Sequence, residues 1–384
     1  MIRDALLKLE DGTTFYGKSY GVEGYRTGEL VFNTSMTGYQ EIITDPSYAS
    51  QIVVLTYPHI GNTGVNFNDC ESNKVWLNGL VIRNSVSLAN HWEMEKTLRE
   101  YLYDNQIVAI TDIDTRKITR HLCNKGASNA CIMAGPIDEN FALHLSRTSP
   151  KLNELDIVNQ ITCSKNYKWD KGALISTKLP STSIYNDLSK QWHVVVYDFG
   201  VKQSILKYLV DKGCIVTVVP ATTEVDEIIK LKPDGVVLSN GPGNPSRYNY
   251  AITIIKELLL TNIPIFGICL GHQLLALSCG AKIFKMKFGH HGANHPVQDL
   301  KSLKVIISSQ NHGFAVDEHS LPNDLSITHR SLFDGTVQGL QHNRFPAFSF
   351  QGHPEGGPGP HDGYYIFGYF ITLMQKYRKH AKKK

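Results

Sequence analysis

The chain has 384 residues, enough for two ordinary domains and a sizeable core. Its composition is that of a globular protein, and a formal charge of +4 is too small to demand nucleic acid or an anionic membrane as partner. Seven cysteines (Cys70, Cys123, Cys131, Cys163, Cys214, Cys269 and Cys279), odd in number and without a C-x-x-C pair, argue against a disulfide framework or zinc site and for a reducing, cytoplasmic setting.

Met1 to Glu10 lacks the apolar core of a signal peptide. In chain order, Ala5 to Leu9, the turn signal Glu10-Asp-Gly12 and Thr14 to Tyr16 predict a hairpin. Gly28 to Asn33 and Gln51 to Thr56 read as strands, being β-branched or aromatic runs bounded by glycine and polar residues. Trp92 to Asn105 reads as a helix with Leu98, Tyr101 and Leu102 inward. From about Thr148 to Gln191 no period is sustained, and we expect a linker that packs on a domain.

Strands and helices then alternate. His193 to Tyr197 is a strand, Lys202 to Asp211 a helix, Cys214 to Val219 a strand and Glu224 to Lys230 a helix. Gly235 to Ser239 leads into Gly241-Pro-Gly243, followed by the helix Tyr250 to Leu260; Ile263 to Phe266 leads into G-I-C-L-G-H-Q (Gly267 to Gln273) and a helix to Ser278. Repeats of this length imply a mostly parallel sheet covered on both faces. Ligands in such folds sit beyond the carboxyl ends of the strands, where both glycine-rich turns fall. The apolar run Tyr364 to Met374 is short of the about 20 residues a membrane span needs, and Lys376 to Lys384 reads as a solvated basic tail. The expected division is residues 1–150, a linker at 151–191, and a second domain at 192–380.

G-x-C-x-G between strand and helix has the form of a nucleophile elbow, in which glycines permit a sharp turn that presents the central side chain. A cysteine there lies at a helix N-terminus, which favours thiolate, and the Leu270 N–H points where an oxyanion would develop. A packed core thiol fits the pentapeptide equally well. A thiol nucleophile needs a base and a group that orients it. Phe350-Gln-Gly-His-Pro-Glu355 follows a strand-like run, and residues two apart in extended chain project together, so His353 and Glu355 suit those roles. Taken alone, H-P-E fits a solvated loop as well. Gly241-Pro-Gly243-Asn-Pro lacks the lysine of a phosphate-binding loop, and its glycines permit close approach of backbone to ligand. Gly289 to His295, with three histidines, reads as a loop rather than a metal site, because no carboxylate or cysteine completes a set. Gln310 to Ala315, after the strand Val305 to Ser309, fits either a turn or a ligand-binding loop.

G-I-C-L-G-H-Q, with G-P-G-N-P upstream and G-H-P-E downstream, resembles the class I (triad-type) glutamine amidotransferases. Asn33 to Tyr48 (N-T-S-M-T-G-Y-Q-E-I-I-T-D-P-S-Y), Leu55 to Asn62, Ile113 to Lys117 and Tyr197 to Lys202 narrow the resemblance to the small subunits of glutamine-dependent carbamoyl-phosphate synthetases, over essentially the whole chain. The fold implied is α/β: a β-rich α/β N-terminal domain and a class I amidotransferase domain whose mostly parallel sheet is flanked by helices. Cys269 would attack the amide of L-glutamine and form a thioester, His353 would move the protons, and Glu355 would orient His353. Leu270 and Gly243 would supply oxyanion N–H groups, and Ser47, Gly241, Gln273, Asn311, Gly313 and Phe314 would bind glutamine.

The resemblance further implies a large synthetase subunit as partner, with no nucleic acid and no membrane. That subunit would take ammonia through an internal tunnel and make carbamoyl phosphate, for arginine and pyrimidine synthesis, from bicarbonate and ATP. ATP and magnesium belong there; no cofactor or metal is expected on this chain. Cys279 and the less acidic Asn66 to Cys70 depart from the family pattern without touching the reactive set. Two alternatives are weaker. A glutaminase serving another acceptor disagrees with the T-D-P-S-Y block, and a non-enzymatic module would lack a member of the triad.

Overall fold

The computed structural model describes residues 4–86, 88–170 and 191–381. Its N-terminal strands close into a seven-stranded barrel, in spatial order Asp4–Leu9, Thr14–Ser19, Val108–Thr111, Gly79–Val81, Gln51–Leu55, Gly24–Asn33 and Ser128–Ala134. The expected hairpin is its first pair, with Leu7 opposite Phe15. Side chains alternate across the wall. Ala5, Leu7, Leu9, Ile52 and Val54 share one apolar cluster. Val53 and Leu55 instead pack with Ile42 and Ile43 of the helix Tyr39–Thr44 and Leu98 and Leu102 of the helix Leu98–Asp104. Both faces of Gln51–Leu55 are therefore buried, which is why the sequence shows a continuous apolar run.

The helix expected over Trp92 to Asn105 is shorter. Thr97 caps it, accepting from Glu100 N–H while the Glu100 carboxylate accepts from Thr97 N–H. Lys96 just before it is extended and bridges to Val65, so the chain is not helical until Thr97.

The C-terminal part is built on a ten-stranded sheet. Five parallel strands lie side by side: Cys214–Pro220, Trp192–Asp198, Gly235–Leu238, Ile265–Ile268 and Ala347–Phe350. Beyond Ala347–Phe350 the sheet continues antiparallel through Val337–His342, Leu325–Ser331, Ile283–Asp299 and Val305–Val316. The parallel half is covered on both faces as expected. Val194 and Val196 pack under the helices Gln203–Asp211 and Tyr365–Ala381. Val195 and Tyr197 pack under Asn249–Leu260 and Leu270–Ser278.

Gly289 to His295 lies within the bulged strand Ile283–Asp299, with Gly289 at φ 71°, and Gln310 to Ala315 is part of the strand Val305–Val316. Both are strand where loops were considered, because bulges absorb the glycines without breaking the pairing. The basic tail is helical as far as Ala381, and Arg378 sits 4.9 Å over the Trp192 ring; residues 382–384 lie outside the described residues. The same is true of 171–190, about half of the expected linker. The part before it packs: Leu152 and Ile157 are buried against Ala49, and Tyr167–Trp169 pairs with Cys214–Pro220.

Candidate active site

One residue, Cys269, separates the strand Ile265–Ile268 from the helix Leu270–Ser278. It has φ 51° and ψ −102°, a conformation that costs a non-glycine residue about 1–3 kcal/mol and persists only when its surroundings impose it. Those surroundings are visible. Cys269 N–H donates to Phe350 O (3.0 Å), and Gly271 N–H donates to Ser239 O (3.0 Å). The flanking glycines do not supply the bend, contrary to expectation, since neither has a positive φ. They allow contact: a Cβ on Gly267 would lie 2.6 Å from Gly271 O, and one on Gly271 would lie 2.1 Å from Leu238 O.

The base arrives on the neighbouring strand, where Phe350 is opposite Ile268. The chain then turns out of the sheet, and His353 N–H donates to Ser309 O (2.9 Å). The extended chain expected over His353 to Glu355 is instead a turn, closed by Gly356 N–H donating to His353 O (3.1 Å), and it is this turn that brings Nδ1 2.6 Å from Oε1, both side chains buried. A carboxylate only accepts, so Nδ1 carries the proton and Nε2 is the basic nitrogen. Nε2 is buried with no hydrogen-bond partner among the described residues, and the ring interacts with the Cys269 sulfur. Burial opposes charge on the imidazole, but Glu355 and the Cys269 sulfur outweigh it and push His353 up to about 10. Burial likewise opposes ionisation of Glu355, and Lys202 and His353 overcome it, holding the carboxyl at about 2.

A cavity of about 30 Å³ touches Cys269. Ser47, Gly241, Gly243, Gln273, Asn311, Gly313 and Phe314, all named from the sequence, line it; Leu270 does not. The barrel contributes Ser47 and Gln51 and the connecting segment Leu152, so the site lies at the seam between the two parts. Ser47 Oγ accepts from Asn240 Nδ2 (2.9 Å), which leaves its proton free to donate. Asn311 is turned inward: Nδ2 donates to Asp45 (2.9 Å), and Oδ1 lies 2.8 Å from His291 Nδ1. Its backbone carbonyl is what reaches the site, 3.5 Å from Cys269 Sγ. Gln273 Nε2 donates to Phe314 O (2.8 Å) and Gln351 Oε1 (3.1 Å).

A family model described as carbamoyl-phosphate synthase small chain, CPSase domain, matches residues 7–132, which include the barrel strands up to Ser128–Ala134. A second, glutamine amidotransferase class-I, matches residues 195–373, the part that holds Cys269, His353 and Glu355. The carbamoyl phosphate synthase small chains of Pectobacterium atrosepticum and Salmonella typhimurium are each 56% identical to this chain over 384 residues, covering 100% of both sequences. That of Escherichia coli K12 is 55% identical over the same length. The chain belongs to the carbamoyl phosphate synthase small chain family.

Several residues at the site were not found by sequence reasoning. Lys202 is fully buried, with Nζ 2.9 Å from Glu355 Oε1 and 3.4 Å from Glu71 Oε1. It closes the motif Tyr197 to Lys202, but nothing in the local pattern marks it as anything but the polar start of a helix. Glu71, from the barrel part, directly follows a stretch that departs from the family pattern. Asp45 sits two residues before Ser47, where its carboxylate accepts from Ser47 N–H (2.8 Å) as well as from Asn311. Among the described residues no group of three or more His, Cys, Asp or Glu is placed to hold a metal. His290, His295 and His312 pack together, with rings 5.0 Å apart.

Proposed function

We propose that Cys269, His353 and Glu355 hydrolyse glutamine and that the ammonia released is passed to a large synthetase subunit. As a member of its family, this chain is the glutamine-hydrolysing subunit of a carbamoyl-phosphate synthase; nucleotide use belongs to the partner. The observation that supports the assignment best is a cysteine held on a strained elbow beside a histidine whose other nitrogen is 2.6 Å from a buried carboxylate.

In this reading the thiol proton rests on His353 Nε2, whose charge Glu355 supports, and Sγ attacks the carboxamide carbon of glutamine. The Leu270 and Gly243 N–H groups face the oxyanion. Leu270 is the first residue of its helix, where N–H groups have no intrahelical acceptor. Collapse of the adduct breaks the C–N bond, His353 returns the proton to the leaving nitrogen, and ammonia departs from the thioester. Water, deprotonated by the same nitrogen, then releases glutamate and restores the thiol. Ser47, Gly241, Gln273, Asn311, Gly313 and Phe314 position glutamine.

Ammonia that reached bulk water at neutral pH would become ammonium, which is not nucleophilic, so transfer within protein is the chemical requirement. Exposed apolar side chains on the barrel part, Met36 (70% exposed), Phe67 (72%) and Trp92 (86%), suit a surface that the partner covers. We read the chain as residues 1–150, a connecting segment 151–191 and an amidotransferase domain 192–380, working in the cytoplasm. No helix among the described residues is long and apolar enough to cross a membrane.

The test combines the chain with a carbamoyl-phosphate synthetase large subunit and measures glutamine-dependent carbamoyl phosphate. Wild type is expected to support it and Cys269→Ser is not. Equal product from both would overturn the assignment.

A further inference from the structure

Lys202 and Glu71 raise a question the triad does not answer. The Lys202 ammonium is fully buried and lies between two carboxylates, one catalytic and one from the barrel part of the chain. Glu71 is itself 1% exposed and is held with care. Its Oε2 accepts from Ser204 N–H (3.0 Å), its Oε1 accepts from the Ser204 hydroxyl (2.9 Å), and its backbone carbonyl accepts from Gln203 N–H (2.8 Å). Its own N–H donates to Thr44 Oγ1 (2.9 Å) in the barrel part. Glu71 therefore satisfies the first-turn N–H groups of the helix Gln203–Asp211 from across the seam. It also touches the loop that carries the triad: a Cβ on Gly357 would fall 2.0 Å from Glu71 Oε1, and Gly357 O accepts from Lys202 Nζ.

We propose that Glu71 is a positioning residue for glutamine hydrolysis: through Lys202 it sets the charge and placement of Glu355, and so the basicity of His353. The reason is electrostatic. One ammonium shared by two carboxylates leaves part of the Glu355 charge for the imidazolium. Without the Glu71 charge, Lys202 pairs with Glu355 alone, and the field at His353 becomes more positive. Burial, joined by the Glu355 charge, holds the Glu71 carboxyl above the usual carboxylate range, while Lys202 and the Ser204 donors pull against that rise and favour its charged form. The other charged or titratable groups that act on this cluster are Asp45 on Lys202, Glu41 near Glu71, Asp69 near Glu41, and the Tyr208–Tyr364 pair. Because Glu71 is anchored to the barrel part and Lys202 to the sheet part, any shift at the seam reaches the triad through this contact.

The proposal rests on the triad reading above, and the wild-type chain separates the two. If wild type does not hydrolyse glutamine, that reading fails before Glu71 is tested. Glu71→Gln keeps the shape and the acceptor for Ser204 N–H but removes the charge. It is expected to lower kcat about tenfold with KM within about twofold, an effect on positioning rather than on binding. The alkaline limb of kcat/KM should move to lower pH by about one unit, because a less stabilised imidazolium loses its proton sooner. Glu71→Asp, which keeps the charge on a shorter arm, should leave the alkaline limb at the wild-type position even if kcat drops. A purely structural Glu71 would change the amount of folded enzyme and leave the limb unmoved in both variants. That result, or a Glu71→Gln profile matching wild type, overturns the proposal. If Glu71→Gln does not fold, Glu71→Asp decides, and an alkaline limb displaced despite the retained charge counts against it.

Discussion

Cys269 combines three properties that rarely coincide in one residue: a positive φ, burial to 2% exposure, and a sulfur facing a histidine held by a carboxylate. A core cysteine needs none of these, since burial alone suits a small apolar thiol. Other buried cysteines of the chain show the contrast. Burial pushes Cys131 up to about 12, and burial together with the Asp234 charge does the same for Cys214, so both stay protonated and inert. We therefore expect iodoacetamide to modify Cys269 faster than Cys131 or Cys214 at neutral pH, with glutamine protecting it. Peptide mapping of partially alkylated protein checks this, and similar labelling of all three cysteines would remove the case for a presented nucleophile.

Elements explain why that residue is where it is. Ile265–Ile268 and Ala347–Phe350 are neighbouring parallel strands, and their carboxyl ends deliver nucleophile and base to the same place. The helix after Cys269 lies so close to Gly235–Leu238 that only glycine fits at 271. Gly271→Ala should destabilise the protein by about 1–3 kcal/mol in denaturant titration, because the new methyl meets the backbone of Leu238. Gly313 differs: nothing lies within 4 Å of a Cβ there and its φ is not positive, yet it lines the cavity. Gly313→Ala should leave the unfolding midpoint near wild type and raise the KM for glutamine about tenfold, the scale of one misplaced methyl in a binding pocket. Equal stability losses in both variants would contradict the distinction.

The elements that were legible in the sequence are the ones with strong local signals. The Val-rich runs Val194 to Val196 and Val236 to Val237, each followed by a helix period, announced the parallel half, and the elbow announced itself. Closure of the barrel was not legible, because strands such as Gln51–Leu55 are buried on both faces and show no alternation from which to assign an interior. The antiparallel half was obscured by bulges in Ile283–Asp299, whose glycines look like loop. The capping box at Thr97 and Glu100 was readable and would have placed the helix start correctly.

At the scale of the whole molecule the barrel and sheet are joined by buried polar contacts rather than by an apolar seam alone. Asp45 to Asn311, Ser47 to Asn240 and Glu71 to Lys202 all cross it, as do the backbone bonds Thr34 N–H to His291 O (3.1 Å) and Ala127 N–H to Lys287 O (2.8 Å). No run of residues reveals such pairs, since each partner is more than 100 positions away in sequence and is ordinary in its own neighbourhood. Their burial makes the fold sensitive to acid, and the sign follows from the direction of each shift. Burial pushes His272 and His295 down to about 3 and His291 to about 4. A histidine depressed in the folded state binds its proton more readily when unfolded. Its contribution is thus complete above about 6.5, the unfolded value, and is lost as pH falls toward the folded one. Glu355, held at about 2, adds a loss below about 4.5 for the same reason. His353 acts oppositely: raised to about 10, it stabilises most below about 6.5 and loses that contribution as pH climbs. Together these outweigh Glu41, which burial pushes up to about 8 and which therefore stabilises most below about 4.5, and they place maximal stability near neutrality with a decline on the acid side. Thermal unfolding followed across pH should therefore show Tm falling steadily below about pH 6, and His272→Gln should flatten that slope by removing one of the titrating groups. A Tm that stayed level from pH 7 to pH 4 would mean that these histidines are solvated rather than buried.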